Sequence, residues 1–328
     1  MTVAPWPVAI VTGMLGSGKT TLIRRLLQDP ATTNTLVLVN EFGEVGLDHL
    51  LLRAVTDEVV LLPNGCLCCT VRSDVVQTLS TIRRDWLAGR IGRLDRVLIE
   101  TSGLAEPAPL VASLVTHPML SDAFVLETVS TIVDGEHGPD QLARNATCRN
   151  QIRVADHLFV SKLDRIDRAS VRPLGRQLRA LNPLARVTPV GRASLNAIFN
   201  RATSRLPPSM LVCDETSPHL EDISTVVLRA TGVLDWIAFR NWLATVLDEC
   251  GDRLLRLKGC LSFDAFEHPV VLQAVHHAFY PLVEATGFSA KPDAGFLLLI
   301  IEGSVPSKLV ENAVAAGLCG RSNQGNWR

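Results

Sequence analysis

Residues 13–20 read GMLGSGKT, directly after the apolar run VAIV at 8–11 and at the start of a stretch with helical spacing at 20–28. A GxxxxGK[ST] pattern between a strand and a helix leaves few folds open. Gly13, Gly16 and Gly18 let the backbone curl with its N–H groups inward, and the helix that follows adds the partial positive charge of its N-terminus. Such a loop holds phosphate oxygens. Lys19 is expected to reach the β- and γ-phosphates of a nucleotide and the Thr20 hydroxyl to ligate Mg²⁺, with Ser17 and Thr21 also lining the loop. A plain glycine-rich turn is the alternative, and the flanking strand and helix argue against it.

The rest of the chain fits that beginning. Short apolar runs at 35–39, 58–62, 96–100, 129–134 and 157–161 read as strands, with helical spacing between them, for example at 71–88. Alternation of this kind predicts an α/β fold: a P-loop NTPase parallel sheet with helices on both faces. After about residue 200 the texture changes. Pro207-Pro208 and the polar stretch 214–222 read as a linker. The expected division is a nucleotide-binding domain at 1–205, a linker at 206–224, a smaller α+β domain at 225–318 and a flexible tail at 319–328. In the second domain strands are expected at 225–229, 254–262, 270–274 and 295–302, and helices at 235–248 and 307–316. Trp236, Phe239 and Trp242 have helical spacing and are assigned mostly to its core.

The strand at 157–161 runs into Ser161, Lys162, Leu163 and Asp164. An Asp at that place can accept two hydrogen bonds from the N1–H and exocyclic amine of guanine, and the lysine stem can cover the purine face. Adenine offers no such pair of donors. The usual pattern has Asn or Thr where this chain has Ser161. A solvated strand end is the competing reading, and the position downstream of the phosphate loop favours guanine.

Three of the eight cysteines, Cys66, Cys68 and Cys69, fall in GCLCC at 65–69, while the other five are scattered. A secreted disulfide framework would spread its cysteines through a small domain. Thiolates are soft ligands for ions such as Zn²⁺. Three of them leave one tetrahedral position open, whereas a structural zinc site supplies four protein ligands. A buried or redox-active cysteine pair is the alternative, although the adjacent Cys68 and Cys69 could form only a strained disulfide.

Composition narrows the partners. Formal net charge is −1 over 328 residues, hydrophobic residues make up 47% and aromatic ones 5%. That is enough apolar content for a sizeable core, and it supplies neither the basic field nor the stacking surface of a nucleic-acid binder. Residues 1–7 carry no basic segment followed by an apolar one. The longest aliphatic or aromatic run, 296–301, is far short of the ~20 residues that span a bilayer. The expectation is a soluble, cytoplasmic protein without a membrane partner.

Taken together, GMLGSGKTT (13–21), NEFGEVGLD (40–48), GCLCC (65–69), ETSGLAEP (100–107), the strand ending at Asp134, SKLD (161–164) and LDWIAFRNWL with GDRLLRLKG (234–243 and 251–259) resemble the CobW-type GTPases, relatives of the nickel-insertion GTPases UreG and HypB. The resemblance implies that 40–48 and 100–107 are the two switches. Glu100 then stands where P-loop proteins carry the strand-end acid that helps hold Mg²⁺, and Asp48 is a further candidate for that ion. Gly103 matches the glycine whose N–H senses the γ-phosphate. Glu41 and His117 are additional candidate ligands for a transition metal, with ordinary loop and helix-end roles as their alternatives. Many relatives carry a histidine-rich stretch before the second domain, and here only His219 stands there, which favours transfer of one ion over bulk storage. His276-His277 reads as a packed or surface pair.

These observations converge on a slow Mg²⁺-dependent GTPase that carries Zn²⁺, or Co²⁺, to a client metalloprotein. Two readings stay open: a metal buffer with little nucleotide turnover, and an ATP-dependent kinase with a structural metal site.

Overall fold

The computed structural model describes residues 4–29, 32–39, 59–61, 70–199, 223–286, 294–322 and 325–326. The chain divides into two compact units, 1–201 and 202–328.

The first unit is built on seven parallel strands: β1 (Trp6–Thr12), β2 (Thr35–Val39), β3 (Val59–Leu61), β4 (Arg96–Glu100), β5 (Phe124–Asp134), β6 (His157–Ser161) and β7 (Arg186–Pro189). Their order across the sheet is β3-β2-β4-β1-β5-β6-β7. β1 is central because both of its faces are apolar. Val8, Ala9, Ile10 and Val11 are all fully buried. A strand that must be dry on both sides belongs in the middle of a sheet covered twice. On one face α1 (Lys19–Leu27) buries Leu22, Ile23 and Leu26 against Ala9, Val11, Val37, Val39 and Leu98. The helices α2 (Thr70–Leu87), α3 (Ala108–Thr116), α4 (Pro118–Ser121), α5 (Gly138–Arg144), α6 (Ala146–Arg153), α7 (Arg168–Leu181) and α8 (Leu195–Phe199) complete the unit. β5 begins five residues before the apolar run read from the sequence, and β7, whose RVTP sequence is only partly buried, carries no apolar run at all.

The second unit is an antiparallel sheet with two helices. Its strands are β8 (Ile223–Thr231), β9 (Leu254–Leu261), β10 (Val270–Val275), β11 (Ala278–Phe279), β12 (Val283–Glu284), β13 (Ala294–Glu302), β14 (Leu318–Ser322) and β15 (Gly325–Asn326), in the order β11-β10-β9-β13-β8-β14-β15, with β12 on β10. α9 (Trp236–Cys250) starts at an Asp235 side chain that accepts from the Ala238 N–H at 2.7 Å, a side-chain N-cap. With α10 (Ser307–Ala315) it covers one face of the sheet, and the Trp242 Nε1–H donates to the Leu309 carbonyl at 3.1 Å. The alternating residues of β9 divide accordingly: Leu257 and Leu261 join the apolar core, while Arg256 and Lys258, also buried, belong to the opposite face.

Within the expected flexible tail, residues 319–322 and 325–326 lie in strands. Leu318–Ser322 pairs with β8 from Leu318↔Ala230 to Ser322↔Val226, and 325–326 folds back on it. A polar stretch such as CGRS has no apolar alternation to advertise a strand. Its order comes from ladder hydrogen bonds to an existing edge and from the buried Leu318 beside them.

Phe239 is fully buried, with ring centroids 4.8 Å from Phe263, 5.6 Å from Trp242 and 6.1 Å from Trp236. Phe239→Ala should destabilise the second unit by about 3–5 kcal/mol, because the neighbouring rings cannot collapse into the space. Chemical unfolding followed by tryptophan fluorescence measures it, and a loss under about 1 kcal/mol would contradict this packing. Thiol chemistry gives an independent check. Burial pushes the Cys148 thiol up to about 11 and raises that of Cys250, whereas Cys319 is exposed. Only the thiolate reacts with alkylating reagents. Iodoacetamide at neutral pH should therefore label Cys319 and spare Cys148 and Cys250 until the chain unfolds, as read by peptide mass mapping.

Candidate nucleotide site

In a parallel sheet, ligands gather at the carboxyl ends of the strands, where the chain order reverses. Here β1 lies between β4 and β5, so the chain leaves β1 toward one side and returns across it. Four strand ends then meet: Thr12 of β1, Glu100 of β4, Asp134 of β5 and Ser161 of β6.

The loop after β1 has the backbone its glycines permit. Gly13, Gly16 and Gly18 have φ of +139°, +73° and +99°, a region that other residues enter only with strain. Gly13 is also hemmed in, since a Cβ there would strike the Ile132 carbonyl oxygen. Gly18 caps α1, whose first residue is Lys19. Lys19 is buried, and its Nζ donates to the carbonyls of Gly13 at 2.8 Å and Met14 at 3.1 Å. The Ser17 hydroxyl is buried without a hydrogen-bond partner among the described residues.

Thr20 and Glu100 are 80 residues apart and touch. The Thr20 hydroxyl donates to Glu100 Oε1 at 3.0 Å, and Glu100 itself is buried. A hydroxyl and a carboxylate side by side at the foot of a phosphate loop are hard oxygen donors, the kind Mg²⁺ takes. The residue chemistry fits that ion. Next to Glu100, Thr101 ties the loop down: its N–H donates to the Val11 carbonyl at 3.0 Å and its hydroxyl to Thr12 Oγ1 at 2.7 Å. Gly103 follows in a turn closed by the Ala105 N–H on the Ser102 carbonyl at 3.0 Å. A Cβ on Gly103 would lie 2.5 Å from the Leu15 backbone nitrogen, so this turn rests directly on the phosphate loop and only glycine fits.

At the end of β6, Ser161 explains its own departure from Asn or Thr. Its hydroxyl reaches the Ser17 carbonyl at 2.7 Å and the Val133 carbonyl at 3.2 Å, joining the phosphate loop, β5 and the SKLD turn through one small side chain. Lys162 has φ +51°, and its Nζ pairs with Asp134 Oδ2 at 2.6 Å. Burial alone would raise the Asp134 carboxyl. Hydrogen bonds from Lys162 and from the His137 and Glu136 N–H groups outweigh that and hold it below its ordinary 3.8. Asp134 is therefore a fixed anion at neutral pH and an anchor for the lysine. The Asp164 carboxylate is exposed and has no hydrogen bond or ion pair among the described residues, which leaves both oxygens for a base. Gly135 is a further contact that the sequence did not single out: its N–H donates to the Ser161 carbonyl at 2.9 Å.

The structure thus brings together Gly13, Gly16, Ser17, Gly18, Lys19, Thr20, Glu100, Gly103, Ser161 and Lys162 at one edge of the sheet, with Asp164 in the turn that follows. Cys66, Cys68, Cys69, Glu41, Asp48 and His219 lie outside the described residues. Among the described residues there is no group of three or more His, Cys, Asp or Glu side chains arranged for a metal ion. His117 stands between α3 and α4, where its Nδ1 accepts from the Met119 N–H at 3.3 Å, the capping role foreseen as its alternative. His276 and His277 form the turn between β10 and β11, and both reach Asp252, through its carbonyl at 2.9 Å and its carboxylate at 3.2 Å. No helix among the described residues is long and apolar enough to cross a membrane.

Comparison with known proteins agrees with this geometry. The zinc chaperone YjiA of Escherichia coli (strain K12) is 29% identical over 285 residues, which cover 84% of this chain and 87% of that protein. The zinc-regulated GTPase metalloprotein activator 1 of Schizosaccharomyces pombe is 32% identical over 222 residues, 62% of this chain and 53% of that protein. In fold, the chain is similar to the crystal structure of Zn(II)-bound YjiA GTPase from E. coli, with a TM-score of 0.67 at 23% identity over 96% of this chain and 99% of that one. The model of the CobW/HypB/UreG nucleotide-binding domain matches residues 7–189, and that of the cobalamin synthesis protein cobW C-terminal domain matches residues 223–317. With the nucleotide-binding domain accounting for more than half of its length and the C-terminal domain following it, the chain belongs to the CobW/HypB/UreG family.

Proposed function

We propose that this chain is a GTP-hydrolysing metallochaperone. In this reading it binds Zn²⁺ through Cys66, Cys68 and Cys69 and passes it to a client metalloprotein in a nucleotide-dependent way. The observation that carries the GTPase half is the Thr20–Glu100 contact at 3.0 Å, set beside Lys19 and within the same strand-end cluster as the SKLD turn. The metal half is supported by relatives named zinc chaperones and by the placement of GCLCC in the 62–69 connection, between the carboxyl end of β3 and the start of α2.

Each residue has a task in that chemistry. Lys19 now neutralises two loop carbonyls and would exchange them for β- and γ-phosphate oxygens, so its buried charge stays paired throughout. The Gly13, Gly16 and Gly18 turns aim backbone N–H groups at the phosphates, with Ser17 and Thr21 alongside. Thr20 and Glu100, with Asp48, would hold Mg²⁺, which neutralises charge on the phosphates during attack by water. The Gly103 N–H would meet the γ-phosphate. Ser161 and Lys162 would frame the base, and Asp164 would accept from its N1–H and exocyclic amine.

The base assignment predicts a specific loss. Asp164→Ala should weaken GTP and GDP binding about 10- to 100-fold, since two charge-assisted hydrogen bonds disappear, and should leave the weak binding of ATP unchanged. Competition against a fluorescent guanine nucleotide measures this, and equal affinity of the wild-type chain for ATP and GTP would favour the kinase reading instead.

The metal assignment is tested by titrating Zn²⁺ and Co²⁺ into the protein with either GDP·Mg²⁺ or a non-hydrolysable GTP analogue bound, beside a Cys66→Ala/Cys68→Ala/Cys69→Ala variant. The expected outcome is a Zn²⁺ affinity that depends on the nucleotide and is lost in the triple variant. Identical affinity in both nucleotide states would remove the coupling, because a ligand that does not distinguish two states cannot shift them.

A further inference from the structure

Gln151, in the second half of α6, is 1% exposed. Its Nε2 donates to the carbonyl oxygens of Gly103 at 3.3 Å and Ala105 at 3.0 Å, both on the turn that follows β4. Its own backbone carbonyl accepts from the Thr131 hydroxyl of β5 at 2.7 Å, which ties this part of α6 to the sheet. Its Oε1 has no hydrogen-bond partner among the described residues. Packing does not account for such a side chain. A methionine would fill similar volume without stranding a buried amide oxygen, and an unpaired buried acceptor costs stability. What the amide supplies is two donors to one turn, and these fix two peptide planes in it.

That turn is held from two sides. On one side Gly103 presses on Leu15 of the phosphate loop, with no room for a Cβ. On the other its carbonyl is held by Gln151. The neighbouring Asn150 adds a surface contact, its Nδ2 donating to Glu106 Oε1 at 2.9 Å. Without the Gln151 donors, nothing buried among the described residues holds the Gly103 and Ala105 carbonyls, and the turn keeps its internal bonds, from the Ala105 N–H to the Ser102 carbonyl and from the Leu104 N–H to the Ser102 hydroxyl, and its contact with Leu15.

We propose that Gln151 is a positioning residue that presents the Gly103 backbone to the γ-phosphate and thereby sets the preference of this chain for GTP over GDP. The inference rests on the GTPase reading above. GDP has no γ-phosphate to meet the turn, so it serves as the internal control.

The test compares the full-length wild type with Gln151→Met, which keeps the volume and removes the donors, and with Asn150→Ala, which removes the Glu106 contact and the acceptor of Arg153 but leaves the Gln151 donors in place. Affinities for GDP·Mg²⁺ and for a non-hydrolysable GTP analogue are measured for each, with steady-state GTP turnover. In Gln151→Met the analogue should bind about tenfold more weakly and turnover should fall by at least as much, while GDP affinity stays within about twofold. Asn150→Ala should match wild type on all three. If Gln151→Met weakens GDP and the analogue alike, or neither, the assignment is overturned. Hydrogen exchange on wild type needs no variant. The Ala105 amide, bonded to the Ser102 carbonyl inside the turn that Gln151 holds, should already be protected with GDP bound, because the Gln151 contacts need no phosphate, and free exchange of that amide would overturn the proposal. Wild type that binds no guanine nucleotide, or binds ATP as well as GTP, would instead refute the GTPase reading itself.

Discussion

Parallel pairing of β1 with β4 on one side and β5 on the other is the constraint on which the site depends. With the parallel pairing of β5 to β6, it sets the ends of four strands next to one another and fixes which residue stands at each. The register aligns Val11 with Glu100 on one side and Thr12 with Thr131 on the other. A slip by one residue would turn Glu100 to the opposite face of the sheet, away from Thr20 and α1, and would put a charge into the apolar layer on that side. The pairing that satisfies the core is therefore also the pairing that assembles the oxygen donors. Packing and chemistry select the same register.

Electrostatics in this cluster follow one pattern: every buried charge has a partner before any ligand arrives. Lys19 rests on two carbonyls, Thr20 donates to Glu100, and Lys162 pairs with Asp134. An unpaired buried ion would cost several kcal/mol, enough to threaten a fold whose whole margin is about 5–15 kcal/mol. Binding then becomes an exchange of partners. In the proposed function Lys19 would give up carbonyl dipoles for full phosphate charges, a stronger pairing, and Lys162 would keep its anion while its stem covers a base. Asp164, exposed and uncommitted, is the exception, and it is the group assigned to reading the base.

Most of this architecture was legible because it rests on local signals. The phosphate loop announces itself through three glycines that all adopt positive φ. All strands of the first unit but β7 announce themselves as apolar runs, since a strand buried on both faces needs no polar alternation. SKLD was legible from its position after a strand. What escaped depends on distant partners. The short polar strand Leu318–Ser322 owes its order to the edge of β8. Arg256 and Lys258 are buried on a face that their charges alone would place in water. Ser161 looked like a deviation until the Ser17 and Val133 carbonyls were seen within its reach. Gln151, in a polar helix, carries no local mark of the two carbonyls it holds, 46 and 48 residues away in sequence.

The position of Gly103 gives the switch its physical content. The turn at 102–105 has little freedom, because it is bounded by Leu15 on one side and by Gln151 on the other. Close-packed contacts of this kind respond to a new group by stepping between discrete arrangements, since neither neighbour can yield by a fraction of an ångström. In the proposed function a γ-phosphate arriving at the phosphate loop would meet a segment that touches both that loop and α6. Hydrolysis removes the phosphate and leaves the segment with its protein contacts alone. Metal binding by the three cysteines, in the proposed function, would be coupled to that event only through differential contacts in the two states. On the same proposal β1, β4 and the turn held by α6 would be the rigid part of such a device, against which the presence or absence of one phosphate group is read.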